Sequence, residues 1–442
     1  MRRLARPGAD PVLFGTADTL GRAGLARRIE GLETALTARP GVHRLGLVVD
    51  RLEPLVTALA LAARRPIRLL LVRPELEAGA DWEVDAWLGD DGLDVVTRPA
   101  RPSPAVSEIV LTTSGTTGRP KAALHPLPRL LGRIAPPREL EAPPAAAGRW
   151  LLTYHPASFA GIQVILSALV AGMPLIAAED GRMASLVALA LAKRPTHVSG
   201  TPTFWRTFLA ALGERAGELP LRAVTLGGEA ADQPTLDLVR SRFPAARLTH
   251  IYASTEAGSL FAVKDGRAGF PAAWLASGID GADLRIKDGL LEVRSPRAMA
   301  GYLDRPAPKD AAGWLSTGDL VRVEADRVLF CGRIDTVINV GGAKVSPDEV
   351  EAVLLALPFV RDVRVFGRPN PITGALVAAE VVLDADRAHA AGAPEAPAAR
   401  EAWVRATITG HARATLAPHQ VPRLIGFAER VEMGFGSKKA RG

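Results

Sequence analysis

The stretch LTTSGTTGRPK, residues 111–121, follows an apolar run of β-strand character and consists mainly of hydroxyl residues and glycines, with one closing lysine. Glycines let a backbone turn tightly around an anion, while hydroxyls and a lysine supply donors and positive charge. A Walker A loop is excluded, because it needs Gly-x4-Gly-Lys-Ser/Thr and this lysine precedes alanine. The composition predicts a phosphate-binding loop rather than an ordinary surface turn. Its candidate binding residues are Thr113, Ser114, Gly115, Thr116, Thr117, Gly118 and Lys121.

The overall composition is that of a soluble enzyme with two or three domains. The 442 residues are 48% hydrophobic and 23% charged, and 54 basic against 47 acidic residues give a formal charge of +7. These charges are spread along the chain without a long basic run, and aromatic residues make up only 5%. Nucleic-acid binding is therefore not expected, whereas attraction of an anionic substrate fits the charge.

The sequence lacks the features of disulfide-bonded, secreted and membrane proteins. Cys331 is the single cysteine, so an intrachain disulfide and a multi-cysteine metal site are excluded. The start, MRRLARPGAD, has charge but no following apolar segment, and the longest apolar runs, 56–63 and 165–178, are short or broken by Gly172 and Pro174. We expect a cytoplasmic protein that does not bind membranes.

Short β-rich runs alternate with longer helical patterns through the first three quarters of the chain. This alternation is typical of α/β layers with mostly parallel strands. Strands are predicted at 46–49, 68–72, 108–112, 151–154, 174–177, 197–199, 223–226 and 248–252, and helices at 159–170, 183–193, 204–212 and 233–243. After about residue 281 the pattern changes to hairpins with strands at 283–287, 290–294, 320–323 and 327–331.

The last hundred or so residues are predicted to form a small α+β unit. Ser346, Pro347 and Glu349 provide an N-cap, a first helical position and a capping box for a helix that ends near residue 357. Strands follow at 360–366 and 375–383, and 385–399 is expected to be a mobile loop. The predicted fold is a large α/β N-terminal domain with layered sheets and helices and a β-rich subdomain, residues 1–334, joined by a hinge to a small α+β C-terminal domain, residues 335–442.

Further polar clusters follow the phosphate-loop segment. They are Gly227-Gly228-Glu229, Tyr252-Ala253-Ser254-Thr255-Glu256, Ser316-Thr317-Gly318-Asp319, Gly332-Arg333-Ile334-Asp335 and Val340-Gly341-Gly342-Ala343-Lys344-Val345. Each of them alone would fit a solvated turn. In this order and spacing, after a loop of the form Ser/Thr-Ser-Gly-Ser/Thr-Thr-Gly-x-Pro-Lys, they resemble the core motifs of the adenylate-forming superfamily from about residue 108 to 441. That superfamily includes acyl-CoA and aryl-CoA synthetases, nonribosomal-peptide adenylation domains and luciferases.

The resemblance implies that ATP and Mg²⁺ bind here. Attack of a carboxylate on the α-phosphate of ATP creates a crowded anionic transition state, which requires cations and oriented donors. In the implied roles, Glu256 holds Mg²⁺, Thr255 hydrogen-bonds phosphate and Tyr252 stacks on adenine. Asp319 accepts hydrogen bonds from both ribose hydroxyls, and Arg333 contacts the ribose and phosphate side. The implied ATP-binding set also includes Gly228 and Glu229.

The end of the chain resembles the terminal Gly-Lys-x-x-Arg motif of the superfamily. In that motif the lysine bridges the carboxylate and the α-phosphate during adenylation. The position of Arg441 selects Lys438 over Lys439, although Ser437 replaces the usual glycine. The resemblance therefore implies that Lys438 is catalytic.

A hinge and a second half-reaction are also implied by the resemblance. Asp335 falls where the superfamily places the hinge, about which the small domain rotates after adenylation. That rotation exchanges the lysine for a loop that lines a pantetheine tunnel, here Gly341, Gly342 and Lys344. Lys344 fits an ordinary exposed charge equally well.

The acid pocket is implied to lie beside the motif that begins at Tyr154 and His155. Amino-acid adenylation domains place an aspartate where His155 stands, so an α-amino acid is not expected. A histidine at this position resembles aryl-CoA and fatty acyl-CoA ligases, where it packs at the carboxylate entrance and counts among the catalytic residues; a buried structural histidine is the alternative. Ala253 replaces the glycine common in its loop and should make the pocket shallower. The remaining candidate pocket residues are Phe159 and Gly227.

These features predict an ATP-dependent ligase that forms an acyl-AMP and then a thioester. The partners are a small carboxylic acid, aromatic or short and unsaturated, and CoA or the phosphopantetheine of an acyl-carrier protein. A non-thiol acceptor such as an amine or nitrite, and a non-catalytic nucleotide-binding protein, are the alternatives. The sequence leaves the oligomeric state open, with a dimer among the alternatives.

Overall fold

The computed structural model describes residues 11–14, 19–76, 82–89, 92–96, 101–113, 121–134, 148–178 and 180–429. The helices within these residues are α1 Arg22–Thr37, α2 Leu52–Ala62, α3 Leu127–Leu131, α4 Phe159–Ala171, α5 Met183–Lys193, α6 Pro202–Leu212, α7 Gln233–Arg242, α8 Trp274–Ser277, α9 Pro347–Leu355, α10 Ala385–Ala390 and α11 Pro397–Thr415.

The strands alternate with these helices in the first part of the chain and come in close succession later. They are β1 Pro11–Phe14, β2 Thr19–Gly21, β3 Arg44–Val48, β4 Arg68–Val72, β5 Ala86–Gly89, β6 Gly92–Val95, β7 Glu108–Thr113, β8 Lys121–Pro126, β9 Trp150–Leu152, β10 Leu175–Ala177, β11 His197–Gly200, β12 Ala223–Gly227, β13 Arg247–Ser254, β14 Gly258–Val263, β15 Phe270–Pro271, β16 Asp283–Lys287, β17 Leu290–Arg294, β18 Gly301–Tyr302, β19 Leu315–Glu324, β20 Arg327–Arg333, β21 Ile338–Val340, β22 Ala343–Val345, β23 Val360–Asn370, β24 Gly374–Leu383 and β25 Leu424–Phe427.

Two mixed sheets form the α/β part of the large domain. In the described residues one has the strand order β14-β13-β12-β11-β9-β10-β1-β2 and the other β18-β8-β7-β4-β3-β5-β6. The interior strands run parallel, and antiparallel strands close the edges. Parallel strands present their carboxyl ends along one edge, which is where open α/β sheets place ligands. The ends of β9, β12 and β13 therefore lie near one another.

A third, antiparallel sheet forms the β-rich subdomain. Its described strands follow the order β15-β20-β19-β17-β16. In β19 and β20, Asp319 lies directly opposite Arg333. A tight turn at Asp288 and Gly289, both with positive φ, joins β16 to β17. The two strands of this hairpin match those predicted at 283–287 and 290–294.

The small domain is built on a separate sheet. Its described strands have the order β22-β21-β24-β23, and β25 pairs with β24. The chain leaves the subdomain sheet at Arg333 and enters this sheet at Ile338, so residues 334–337 connect the two. The predicted fold class, a large α/β domain with a β-rich subdomain and a small α+β domain, is confirmed.

Side-chain caps fix the helix starts that lie closest to the sheet edges. Ser158 accepts a hydrogen bond from Gly161 N at the start of α4, Thr201 from Phe204 N at α6, and Asp232 from Thr235 N at α7. Such caps satisfy backbone donors that a helix leaves open. Within α6 the fully buried Trp205 donates its indole N–H to Thr225 O at 2.9 Å, which ties the helix to β12.

Two local predictions for the small domain are wrong. Residues 385–399 are not one loop, because α10 lies within them and α11 begins at Pro397. Asp384 caps α10, and alanines, the best helix formers, supply much of both segments. The helix predicted from Ser346 is present as α9 with Ser346 at the N-cap position, but the buried Ser346 side chain makes no cap hydrogen bond.

No helix among the described residues has a stretch that is both long and apolar enough to cross a membrane.

Candidate active site

Asp319, Arg333 and Tyr252 meet where the subdomain sheet faces the end of β13. Arg333 Nη1 lies 3.0 Å from Asp319 Oδ1, and the Tyr252 hydroxyl donates to Asp319 Oδ2. Burial alone would lower the pKa of Arg333, but the Asp319 and Asp335 carboxylates raise it above its ordinary value. Three residues from motifs far apart in the chain thus form one polar cluster, in which both oxygens of the Asp319 carboxylate accept hydrogen bonds.

The Tyr252 ring is packed against other aromatic side chains. Its centroid lies 5.2 Å from that of Phe261 and 4.8 Å from that of Phe330, with the planes tilted by 27° and 26°. Burial and the neighbouring Asp319 carboxylate raise the pKa of Tyr252 well above its usual value. Adenine would have to stack on ring surface that these two phenylalanines leave uncovered, and the adenine contact of Tyr252 stays a prediction.

Glu256 lies in the tight turn between β13 and β14, directly after Thr255. The Tyr302 hydroxyl donates to Glu256 Oε1 at 3.3 Å, and the carbonyl of Glu256 accepts from Met299 N at 3.0 Å. Burial and the Glu256 carboxylate raise the pKa of Tyr302 to about 12, so this tyrosine remains a donor at neutral pH. Tyr302 on β18 thus contacts the carboxylate, and Met299 N fixes the backbone carbonyl of the same residue.

Glu229 is tied to the start of α6. Its Oε2 accepts from the amide and the hydroxyl of Thr203, at 3.2 and 2.8 Å. Gly228, with φ +88°, lies beside the Thr201 methyl group and the Tyr154 ring. The Gly-Gly-Glu turn therefore connects the end of β12 with α6.

The candidate acid-pocket residues converge at the carboxyl ends of β9, β12 and β13. The Tyr154 hydroxyl donates to Gly227 O at 3.0 Å, across the intervening β11. Burial raises the pKa of Tyr154, so its hydroxyl stays protonated. Phe159 begins α4 and is buried, and the half-buried Ala253 packs against the same hydrophobic cluster. The structure thus brings together four of the five predicted pocket residues around one sheet edge.

His155, the fifth pocket residue, is neutral at physiological pH. Burial, and secondarily the charge of Arg73, lower its pKa to about 4. Its Nδ1 lies 3.1 Å from the Ala157 amide and accepts that N–H, which places the ring proton on Nε2. The ring can therefore offer one neutral N–H donor.

Part of the predicted site lies outside the described residues. Ser114, Gly115, Thr116, Thr117 and Gly118 of the phosphate loop belong to this part, as does Lys438. The flanking strands are described, and the backbone of Thr113 at the end of β7 pairs with Lys121 at the start of β8. The two strands fix where the loop leaves and re-enters the sheet.

The predicted hinge and thiol-acceptor residues lie between and within the two domains. Asp335 sits in a short 3₁₀ segment, Ile334–Thr336, with Oδ1 3.0 Å from Arg333 Nε. Gly341 and Gly342 form the turn between β21 and β22, where Gly341 N donates to Thr373 O at 2.8 Å. A Cβ at Gly342 would meet no atom within 4 Å, and Lys344 is exposed. In this domain arrangement the loop faces open space.

Three residues at the site were not predicted from the sequence. Tyr302 reaches Glu256 from a strand 46 residues further along the chain. His125 on β8 is fully buried with its ring 5.5 Å from that of Phe159, and burial lowers its pKa to about 4. Arg73 follows β4 and is buried close enough to affect His155. The only sequence signal was a polar residue at the end of, or just after, an apolar strand.

The described residues fit a metal ion that arrives with a polyphosphate. They contain no group of three or more histidine, cysteine, aspartate and glutamate side chains able to hold a metal ion. Mg²⁺ is commonly bound by one or two carboxylates together with substrate phosphates and water. A single carboxylate such as that of Glu256 is sufficient for that mode of binding, and the nucleotide contacts of Asp319 and Arg333 stay predictions.

Comparison with known proteins agrees with this geometry. The family model for the AMP-binding enzyme matches residues 37–303, and the model for the AMP-binding enzyme C-terminal domain matches residues 349–434. A probable 2-succinylbenzoate–CoA ligase from Mycobacterium tuberculosis is 31% identical over 317 residues, which cover 64% of this chain and 75% of the relative.

Solved structures share the fold over almost the whole chain. ATP-bound MatB from Rhodopseudomonas palustris aligns with a TM-score of 0.73 and 20% identity, covering 99% of this chain and 96% of that one. The o-succinylbenzoate CoA synthetase MenE from Bacillus subtilis, in complex with its acyl-adenylate intermediate, aligns with a TM-score of 0.68 and 18% identity, covering 96% and 92%.

Proposed function

Because this chain belongs to the AMP-binding enzymes, we propose that it is an ATP-dependent ligase that activates an aromatic carboxylic acid as its acyl-AMP and transfers the acyl group to the thiol of CoA. The resemblance to the adenylate-forming superfamily is confirmed by the same family match. The ligase uses ATP with Mg²⁺ and takes CoA as co-substrate, with a carrier-protein phosphopantetheine as the chemically equivalent thiol.

One observation carries this proposal: residues from three separate motifs converge where the subdomain sheet faces the end of β13. Asp319 and Arg333 are joined at 3.0 Å, Tyr252 donates to the same carboxylate, and Glu256 follows four residues after Tyr252. A carboxylate for ribose, a cation beside it and a second carboxylate for the metal are the groups that a bound Mg·ATP requires. A purely structural ion pair between Asp319 and Arg333 would not require the second carboxylate, that of Glu256.

In the first half-reaction the acid carboxylate attacks the α-phosphate and pyrophosphate leaves. We assign Asp319 and Arg333 to the ribose and its phosphate, and the phosphate loop with Lys121 to the β- and γ-phosphates. Glu256 would hold Mg²⁺, and the metal would supply positive charge to neutralise the phosphates. Tyr302 positions the Glu256 carboxylate. Lys438 is assigned to the α-phosphate and the attacking carboxylate.

In the second half-reaction the thiol attacks the carbonyl carbon of the acyl-AMP, and AMP leaves with the bridging oxygen. We propose a domain boundary at Asp335, with residues 1–334 as the adenylation core and 335–442 as the mobile domain. The change of sheet between Arg333 and Ile338 supports this boundary. Rotation about it would bring Gly341, Gly342 and Lys344 from open space to the site.

The proposed acid is compact and aromatic. A neutral His155 with one N–H donor suits a carboxylate, and the absence of an aspartate at this position disfavours an α-ammonium group. The 2-succinylbenzoate–CoA ligase named above is an aryl acid ligase, which supports the same class. We also propose a cytoplasmic location, which the single cysteine of the chain supports.

The test is ATP–pyrophosphate exchange with a panel of acids at equal ATP, followed by mass analysis with CoA present. Benzoate-like and cinnamate-like acids should give the highest kcat/KM, with hexanoate lower and palmitate and phenylalanine lowest. Discrimination by pocket volume amounts to about 1–3 kcal/mol per methylene, so the loss should be graded. Efficient activation of palmitate or phenylalanine would overturn the substrate class, and pyrophosphate exchange without any acyl-CoA in the mass analysis would overturn the acceptor.

A further inference from the structure

A buried arginine links the large domain to the small one. Arg206 lies on α6 with 9% of its side chain exposed. Its Nη1 is 3.2 Å from Asp232 Oδ2 in the large domain, and its Nη2 is 3.4 Å from Asp362 Oδ1 on β23 of the small domain. Asp362 is also buried. A desolvated ion pair therefore crosses the domain interface.

The small domain presents its carboxylates to this arginine in a fixed geometry. Asp362 Oδ1 accepts from Val363 N at 2.9 Å, and the buried Glu351 accepts from Val365 N at 2.8 Å. Burial alone would lower the pKa of Arg206, but Asp362, Asp232, Glu229 and Glu351 together raise it. Two of these four carboxylates belong to each domain, so separating the domains removes half of the charges that compensate Arg206.

The same arginine is connected to the candidate active site. Arg206 Nη2 donates to Thr203 Oγ1 at 3.1 Å, and Thr203 donates to Glu229 Oε2 at 2.8 Å. Glu229 belongs to the turn whose Gly227 carbonyl accepts from Tyr154. The contact with Asp362 is thus linked, through Thr203 and Glu229, to the acid pocket.

The domain arrangement that this ion pair stabilises differs from the one required for thioester formation. The space around Gly342 is open and the Lys344 side chain is exposed, whereas the implied role in thioester formation requires these residues to line an enclosed tunnel. We propose that Arg206 is a positioning residue, which holds the small domain in its pre-thioester orientation by binding Asp362 and must release Asp362 before the acyl group is transferred. This inference rests on the proposed two-step function.

Asp362→Asn and Asp232→Asn are a matched pair of variants. Each removes one charge from the same arginine at nearly the same distance, but only Asp362 belongs to the other domain. Asparagine at position 232 remains a good N-cap for α7. Asp362→Asn should slow pyrophosphate exchange about tenfold or more while leaving thioester formation from supplied acyl adenylate unchanged or faster. Asp232→Asn should change both rates by a similar, small factor, and Asp362→Glu should restore exchange.

The distance between the two domains can be measured without any enzymatic activity, and it distinguishes the role of Arg206 from the proposed ligase function. Donor and acceptor dyes on cysteines at the exposed positions Lys264 and Arg413, in a Cys331→Ser background, report the distance between the domains. Without ligands, Asp362→Asn should broaden the distance distribution, and Asp232→Asn should leave it unchanged. Identical distributions in all three proteins, or equal slowing of both half-reactions by the two variants, would overturn the role of Arg206 even in a fully active ligase. Failure of the proposed function would instead appear as an inactive unsubstituted protein with the distance effect intact.

Discussion

Replacing Asp319 by asparagine keeps the side-chain shape and removes the charge that we assign to the ribose. A hydrogen bond to a charged group contributes about 1.5–3 kcal/mol, and one between neutral groups about 0.5–1.5 kcal/mol. For two ribose hydroxyls the difference amounts to about 2–3 kcal/mol, which corresponds to an increase of about 30- to 150-fold in the KM for ATP. The Tyr252 hydroxyl already donates to Oδ2, so one ribose hydroxyl must share or displace it, and the lower end of this range is expected.

The fold should survive this substitution. The Asp319–Arg333 pair is partly solvated, with 15% and 41% of the side chains exposed, and pairs of this kind contribute about 1 kcal/mol or less. Arg333 also retains Asp335 at 3.0 Å. The ATP dependence of pyrophosphate exchange gives the KM, and thermal unfolding checks the stability.

Asp335→Asn is the matched control, because it removes the other carboxylate partner of Arg333 at the same 3.0 Å distance. This variant should leave the KM for ATP within about twofold of the original value, since we assign Asp335 to the hinge and not to the ribose, and an exposed ion pair contributes little. An unchanged KM in Asp319→Asn, or equal increases in both variants, would refute the assignment of Asp319 to the ribose.

Three further outcomes are expected. Glu256→Gln should raise the Mg²⁺ concentration for half-maximal rate and lower turnover, because the amide loses the charge that faces the metal; an unchanged Mg²⁺ titration would remove Glu256 from the site. Lys438→Ala should reduce adenylation about a hundredfold, equivalent to about 3 kcal/mol, and spare thioester formation from supplied adenylate, whereas Lys439→Ala should have little effect; equal loss in both half-reactions contradicts this role. The free energy of unfolding should fall as pH drops from about 6.5 to about 4, because the folded-state pKa values of His125, His155 and His250 are lowered to about 4. In that range these histidines bind more protons in the unfolded chain than in the folded protein, so protonation favours unfolding. A melting temperature that is constant over this range would show that these histidines are not buried.

Elements whose signals are local could be predicted from the sequence. The helix at 183–193 and the strands at 68–72, 283–287 and 290–294 match the structure at both ends, because apolar periodicity and turn residues act within a few positions. The prediction of a single loop at residues 385–399 was wrong. Proline and charge suggested a loop there, whereas an aspartate cap, alanine and a proline at a helix start favour two helices.

The motif residues of the site could also be named from the sequence, but their contacts could not. Tyr302 and Glu256 are 46 residues apart, and Arg206 and Asp362 are 156 apart. Sheet order and domain packing bring these pairs together, and neither leaves a periodic trace in the chain. The aromatic packing of Tyr252 could not be predicted for the same reason, since its two phenylalanine neighbours come from β14 and β20.

If the acid reacts through an acyl-AMP, its two carboxylate oxygens must end in different products. An aromatic acid labelled with ¹⁸O in both carboxylate oxygens is turned over with ATP, Mg²⁺ and CoA, and the products are analysed by mass. Attack of the carboxylate on the α-phosphate followed by attack of the thiol on the carbonyl carbon leaves one labelled oxygen in AMP, one in the thioester and none in pyrophosphate. Labelled inorganic phosphate formed together with ADP, or AMP without label, would contradict the account.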